Sequence, residues 1–413
     1  MALDLAHPQT TLDPYATDVV AEGHRIRQLG HLVPVEIDGV VKTWATADHA
    51  TAEQIFTSPD FRKDPEHWTA FRNGEIPSGW PLLALITMRS MLNRDGADHT
   101  RLRSLLSRAF TPRRVELLRP RIEEMAGQLL DGLADAEGAV DVRKHYAFPL
   151  PMGVICELFG VDDPSDRRRL ADNYGAIVSS RSSEDEVMKA QAGLGEVIGR
   201  LIESKRARPG DDLTSALIAA HDEDQDRLSG EELAQTLLLM LFAGHETSKN
   251  LITNAIRSLL SHPDQLALVH SGSADTGWSH VVEETLRWAS PIRVVMFYYA
   301  AKDVEMGDVL IRAGEPVLIY VAATGRDHAH FGTDADEFDV SRSTAAQHLS
   351  FARGVHYCIG APLGRMTATI AVEALFRRFD VACADLDALV SEWTYASNSV
   401  QELPVTLTAL ATV

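Results

Sequence analysis

One segment limits the fold more than any other. Ser229-Gly-Glu-Glu232 is a capping box, in which serine and glutamate satisfy each other's end of a first helical turn, and the helical pattern it opens runs to about Leu260, just before Pro263. At 1.5 Å per residue such a helix is roughly 48 Å long, enough to cross a whole domain. Its middle, Leu237 to Phe242, is apolar on every side, as a helix buried in a large core must be. The segment is expected at the centre of the fold.

The rest of the chain is read around it. Ile122, Met125, Leu129, Leu130 and Leu133 recur at the spacing of one buried helix face. Strands are the minority. Val35 to Ala45 is β-rich around Asp38-Gly39, a pair suited to the positive φ angles of a tight hairpin turn, and a second such unit runs from Val304 to Ala322 around Met306-Gly307-Asp308. Residues 206–227 read as loops between helices, and there is no repeat, low-complexity tract or long linker. The expected fold is mainly α, a single helix-rich domain over residues 1–413 with small β-sheets, a β-rich part at about 30–60 and a helical core at about 95–380.

Composition narrows the function. The 39 basic and 59 acidic residues give a net charge of −20, which repels phosphate backbones and anionic lipid, so no nucleic-acid partner is expected. The longest apolar run, Leu237 to Gly244, is far short of the roughly 20 residues that cross a bilayer. Cys156, Cys358 and Cys383 cannot all pair, and the N-terminus lacks the order of a signal peptide, so the expected compartment is the cytoplasm.

Four constellations carry chemistry. Gly354 and Gly360 bracket Cys358, and a helix begins near Gly360 with Pro362 in its first turn, where the dipole and free amides stabilise a thiolate. An inert core thiol is the competing reading. Ala243-Gly244-His245-Glu246-Thr247 lies mid-helix, where glycine costs about 1 kcal/mol relative to alanine. Either Gly244 admits a neighbouring helix and Thr247 bonds back to a carbonyl, or the site is functional; no second histidine follows His245 at zinc-protease spacing. Glu284 and Arg287 taken alone are a surface pair. His99 and Arg103 share a helix face, and from Arg101 to Arg121 seven arginines (101, 103, 108, 113, 114, 119, 121) face one acid, Glu116.

Phe351, Gly354, Cys358 and Gly360 together spell F-x-x-G-x-x-x-C-x-G, and here the chain resembles the haem-binding loop of the cytochrome P-450 superfamily, with Ala352 in place of the usual glycine. The resemblance implies the cytochrome P-450 fold, haem b (iron protoporphyrin IX) and Cys358 as the axial thiolate, a ligand that favours O–O cleavage. It implies that Ala243 and Gly244 lie over the haem, that Glu246 and Thr247 are the proton-delivery pair, and that Glu284, Arg287 and Arg342 form a buried structural triad. His99, Arg103 and His356 match the groups that hold the propionates. The usual propionate arginine falls on Tyr298, with Arg293 or Tyr298 itself as the substitute. The arginine run, extended by Arg353, is the expected docking face for a ferredoxin that relays electrons from NAD(P)H through a reductase.

The motifs span residues 99–365 in order, and the wording of Pro151 to Val161 and Lys63 to Trp68 looks like soluble actinobacterial members. The reading is a haem-thiolate monooxygenase, expected as a monomer, that oxidises a bulky hydrophobic polyketide, macrolide, steroid or terpenoid. Family position puts the substrate against residues 68–91, 174–186, 237–243, 292–297 and 396–400. Trp80, Leu83, Met240, Ala243, Val294, Val295, Met296 and Val400 are the pocket candidates. The alternatives are oxidative coupling on the same fold and, more remotely, a non-catalytic haem-thiolate sensor.

Overall fold

The computed structural model describes residues 3–410 apart from 81, 89, 180–181, 224–228, 273–275 and 393. The capping box forms: the Ser229 hydroxyl accepts from the Glu232 amide at 3.0 Å while Glu232 accepts from the Ser229 amide at 2.7 Å. The helix it opens runs Gly230–Ser261, 32 residues, and Pro263 starts the next helix, Pro263–His270. The central helix lies against Pro149–Phe159, Trp278–Trp288 and Ala361–Arg378. Leu237, Leu241, Leu251, Ile252, Ile256 and Leu259 are buried in that contact. Each such side chain contributes ~1.5–3 kcal/mol on leaving water.

Two expectations change. Part of 206–227 is a helix, Leu213–Glu223, because Leu213 and Leu217 make a buried stripe against the main core and Thr214 donates to the Phe159 carbonyl at 2.8 Å. Residues 224–228 of that stretch lie outside the described residues. The β-rich part also draws on chain far beyond residue 60.

The strands are β1 (Thr10–Thr11), β2 (Val33–Ile37), β3 (Val41–Thr46), β4 (Phe61–Arg62), β5 (Ala139–Asp141), β6 (Val295–Ala300), β7 (Val304–Met306), β8 (Val309–Ile311), β9 (Pro316–Ile319), β10 (Phe379–Ala382) and β11 (Pro404–Ala409). The largest sheet has the order β1-β2-β3-β9-β6-β4. Asp38 (φ 55°) and Gly39 (φ 66°) turn the β2–β3 hairpin as their residue types require. The 304–322 unit divides: β7 and β8 pair alone, while β9 joins the large sheet parallel to β3 and antiparallel to β6. At the far edge β4 pairs with β6, Arg62 opposite Tyr299. Among the described residues no helix is long and apolar enough to cross a membrane.

Candidate functional site

Cys358 lies between the short turn Gly354–His356 and the helix Ala361–Arg378. Its amide donates to the Phe351 carbonyl at 2.9 Å, closing the loop. Gly354 has φ +69°, and an added Cβ would stand 2.5 Å from the Phe56 carbonyl oxygen, so only glycine fits. Gly360 is not under the same constraint. Its φ is −81° and an added Cβ would meet the cysteine sulfur at 3.8 Å, an ordinary contact, so neither backbone nor protein packing demands glycine there. Ala352 takes φ +57°, a left-handed conformation that costs an L-residue roughly 1–2 kcal/mol.

Burial pushes the Cys358 thiol up, opposed by the Gly360 and Ala361 amides and by the charges of Arg103 and Arg365. Cys156 is a core thiol, pushed up to about 11 by burial. Arg365 also lies 4.5 Å over the Phe351 ring. Sequence reading passed over the group that fastens this loop. Glu283 binds Arg365, through Nη2 at 3.1 Å, and lies 3.4 Å from His348 Nε2. Burial raises the Glu283 carboxyl, but His348 and Arg365 hold it at about 2. The signal available was an acid beside Glu284 and an arginine seven residues after the cysteine.

His99 and His356 meet beside this loop, ring centroids 4.3 Å apart. Both Nε2 atoms are buried and unpartnered. Burial, with His356 and Arg103 adding to it, pushes His99 down to about 4. Arg103 is half-buried and makes no hydrogen bond or ion pair among the described residues. Buried polar groups are otherwise almost always paired, and three donors without an acceptor fit a carboxylate-bearing ligand beside Cys358. The two proposed substitutes for the missing arginine do not join them equally. Arg293 is fully buried elsewhere, its guanidinium on Glu22, the Tyr320 hydroxyl at 3.2 Å and the Thr394 carbonyl at 3.4 Å, so it has no free charge to offer. Tyr298 does approach His356, ring centroids 6.4 Å apart.

Midway along the central helix, Ala243 is exposed between the buried Leu241 and His245, so the helix borders open space there. A Cβ on Gly244 would meet Ile155 at 3.6 Å, an ordinary contact, which removes helix crowding as the reason for glycine. His245 faces the other way. Its Nε2 lies 2.9 Å from the Phe148 carbonyl, and burial pushes it down to about 4, so it packs as a neutral ring on Phe148 and Tyr174. The Thr247 hydroxyl donates to the Ala243 carbonyl at 2.6 Å. Glu246 accepts from Lys249 Nζ at 2.7 Å, Asn250 at 3.3 Å and the Tyr174 hydroxyl at 3.3 Å. Burial raises this carboxyl and Lys249 lowers it, with a net shift below the usual range. Lys249 continues outward to Glu392 at 3.6 Å, which Arg143 also binds.

Glu284 and Arg287 are wholly buried, joined by two hydrogen bonds of 2.6 and 2.7 Å, and Arg342 Nε lies 3.5 Å from the same carboxylate. The pair is therefore no surface contact.

The basic run is less charged than its sequence. Arg101 is bound to Glu232, Arg114 to Asp211, Arg119 to Glu116, and Arg121 to Glu124 and Glu157, partners mostly distant in sequence. Of the pocket candidates, Trp80, Val294 and Val400 are buried at 5%, 4% and 1% exposure and have almost no surface to offer a substrate. Trp80 packs on Phe297 and Trp68 beneath the large sheet, because its indole NH is held by Asp38. Leu83, Met240, Val295 and Met296 keep accessible surface. Residues 81, 89 and 180–181 of the expected substrate stretches lie outside the described residues.

The sequence profile described as Cytochrome P450 matches residues 82–271 and 278–395. The chain is 43% identical over 404 residues to 2-hydroxy-5-methyl-1-naphthoate 7-hydroxylase of Streptomyces carzinostaticus, across 96% of this chain and 97% of the relative. It is 35% identical over 408 residues to 6-deoxyerythronolide B hydroxylase of Saccharopolyspora erythraea, across 97% and 98%. Among solved structures, "Testerone bound CYP154C4 from Streptomyces sp. ATCC 11861" superposes with a TM-score of 0.90 at 40% identity, covering 97% of this chain and 98% of that one.

Proposed function

The chain belongs to the cytochrome P450 family, and from that premise we propose that it is a haem-thiolate monooxygenase acting on a bulky, largely hydrophobic natural product. The observation that carries the reading is the grouping of His99, Arg103 and His356, donors without an acceptor, beside a cysteine whose sulfur the Gly360 and Ala361 amides face. In this reading Cys358 ligates the iron, His99, Arg103 and His356 hold the carboxylates, and Ala243 and Gly244 leave room beside the central helix. Bound haem b supplies the iron that activates dioxygen and accepts electrons.

The protein's own part is positioning and proton supply. Glu246 is kept ionised by Lys249, so it carries a proton only in passing, from the Lys249 and Glu392 side toward the Thr247 hydroxyl. Thr247 must release the Ala243 carbonyl to pass that proton on. Electrons from NAD(P)H would arrive through a reductase and a ferredoxin at the face carrying Arg353 and the exposed Val355 of the cysteine loop. Three free cysteines suit a reducing cytoplasm.

Met240, Ala243, Val295 and Met296 offer a mostly apolar wall, and the named relatives are hydroxylases of 2-hydroxy-5-methyl-1-naphthoate and of 6-deoxyerythronolide B. Titrating the haem-loaded protein with macrolides, steroids, terpenoids and aromatic acids while recording its absorption spectrum tests the reading. A low-spin to high-spin shift with one class is the expected result. No thiolate-haem spectrum after reconstitution sinks it. Product mass then separates addition of one oxygen from the loss of two hydrogens expected of coupling.

Thr247→Ala is expected to uncouple the reaction. Electrons continue to flow, but product per NAD(P)H falls by about 10-fold or more and hydrogen peroxide takes its place, since a positioned proton donor contributes about 100-fold or more. Coupling equal to that of the parent would remove Thr247 from proton delivery.

A further inference from the structure

The pairing of β4 with β6 brings a cation to the histidine pair from an unexpected direction. Lys63 directly follows β4 and is 3% exposed. Its Nζ donates to the Met296 carbonyl at 2.8 Å and lies 4.6 Å over the Tyr298 ring, both on β6. The ammonium has three donors and only this one acceptor, and no carboxylate lies within 4 Å of it among the described residues. Burial pushes it down to about 7, against the more distant charge of Asp95. Asp95 is already engaged, accepting from the backbone amides of Lys63 and Asp64. On its other side, Asp95 lies 3.9 Å from His356 Nε2, beyond hydrogen-bonding reach.

Lys63, Tyr298, His356 and His99 thus form one continuous cluster: ammonium on phenol ring, phenol ring on imidazole, imidazole on imidazole. Three of the four carry buried donors that the protein leaves partly or wholly unused. A buried cation with spare donors persists where an anion completes it. Its neighbour His356 stands two residues from Cys358, so the anion belongs to the same ligand that Cys358 binds.

We propose that Lys63 binds a haem carboxylate together with His99 and His356, supplying the cation on an edge where β6 presents only the neutral Tyr298. The proposal rests on the haem reading above and extends it to a residue outside the cysteine loop and the His99 helix. Lysine suits the place because a point charge on a flexible stem reaches a carboxylate past the Tyr298 ring.

The test is haem loss from the loaded protein to excess apomyoglobin, followed by absorbance. The parent, Lys63→Met and Lys63→Gln are compared, each carrying either haem b or its dimethyl ester, in which both carboxylates are blocked. With haem b, Lys63→Met and Lys63→Gln are expected to lose the group about 10-fold faster or more, as for a charged hydrogen bond removed from a buried site. With the ester, the variants and the parent are expected to converge. Equal rates for parent and variants with haem b overturn the proposal, and so does an equal acceleration with both cofactors, which marks a purely structural lysine. Far-UV circular dichroism identifies a variant that does not fold, and the other is then read alone. A parent that takes up no haem overturns the underlying reading and this proposal with it, an outcome distinct from every comparison among variants.

Discussion

Cys358→Ala is expected to abolish substrate oxidation and the thiolate-haem absorption signature, while Cys156→Ala and Cys383→Ala keep both. Loss of an outer-shell partner typically costs 10–100-fold in metal affinity or activity, and loss of the ligand itself should exceed that. The three cysteines differ in surroundings rather than in chemistry. Cys156 is 2% exposed in the helical core, where burial pushes its thiol up to about 11. Cys383 follows β10, half-buried. Burial also raises Cys358, yet it alone has the Gly360 and Ala361 amides and two arginine charges opposing that rise. Spectra of the reduced carbon monoxide complexes of all three variants decide the matter. A thiolate signature that survives in Cys358→Ala, or disappears in Cys156→Ala, would remove the ligand assignment.

The parts of this protein that were legible in the sequence are those whose cause is local. A capping box and a proline bound the central helix, Asp38-Gly39 turns the first hairpin, and Pro362 enters the cysteine helix, because each depends on backbone chemistry within a few residues. What was not legible depends on distant partners. Arg293 is held by Glu22, 271 residues away, and Arg101 by Glu232, so neither the buried ion pair nor the neutralised arginine run leaves a periodic trace. Lys63 stands in a stretch noted only for its likeness to relatives, and its role emerges from the β4–β6 register. Trp80 and Val400 fit an apolar pocket by composition equally well, and only packing puts them in the core. Ala352 shows the converse: a substitution that looks small in sequence takes a left-handed φ, and the loop keeps its shape at the cost of strain.

Glu284→Gln is expected to destabilise the fold by about 3–5 kcal/mol, the cost of leaving a buried charge without its partner. The geometry explains why no milder outcome is available. Arg287 has five N–H donors, and all five are used: two on Glu284, one on each of the Gly325 and Ala335 carbonyls at 2.6 Å, and one on the Glu337 carbonyl at 2.7 Å. Glu284 also accepts from the Asp339 amide at 2.8 Å, and Arg342 approaches the same oxygen. The pair therefore ties the helix Trp278–Trp288 to the loops around 325 and 335–342 that lead to the cysteine. Space is as tight as charge, since a Cβ on Gly325 would stand 1.9 Å from the Arg287 carbonyl oxygen. Many buried ion pairs can be replaced by apolar residues at little cost. This one should not be, because Glu284→Leu with Arg287→Met would leave three carbonyls and the Asp339 amide unpaired, and the double variant should be no more stable than Glu284→Gln. Urea midpoints by circular dichroism and by haem absorbance measure both. A loss below about 1 kcal/mol in Glu284→Gln would put the pair in the range of exposed salt bridges, and recovery in the double variant would show that the carbonyls it anchors find other donors.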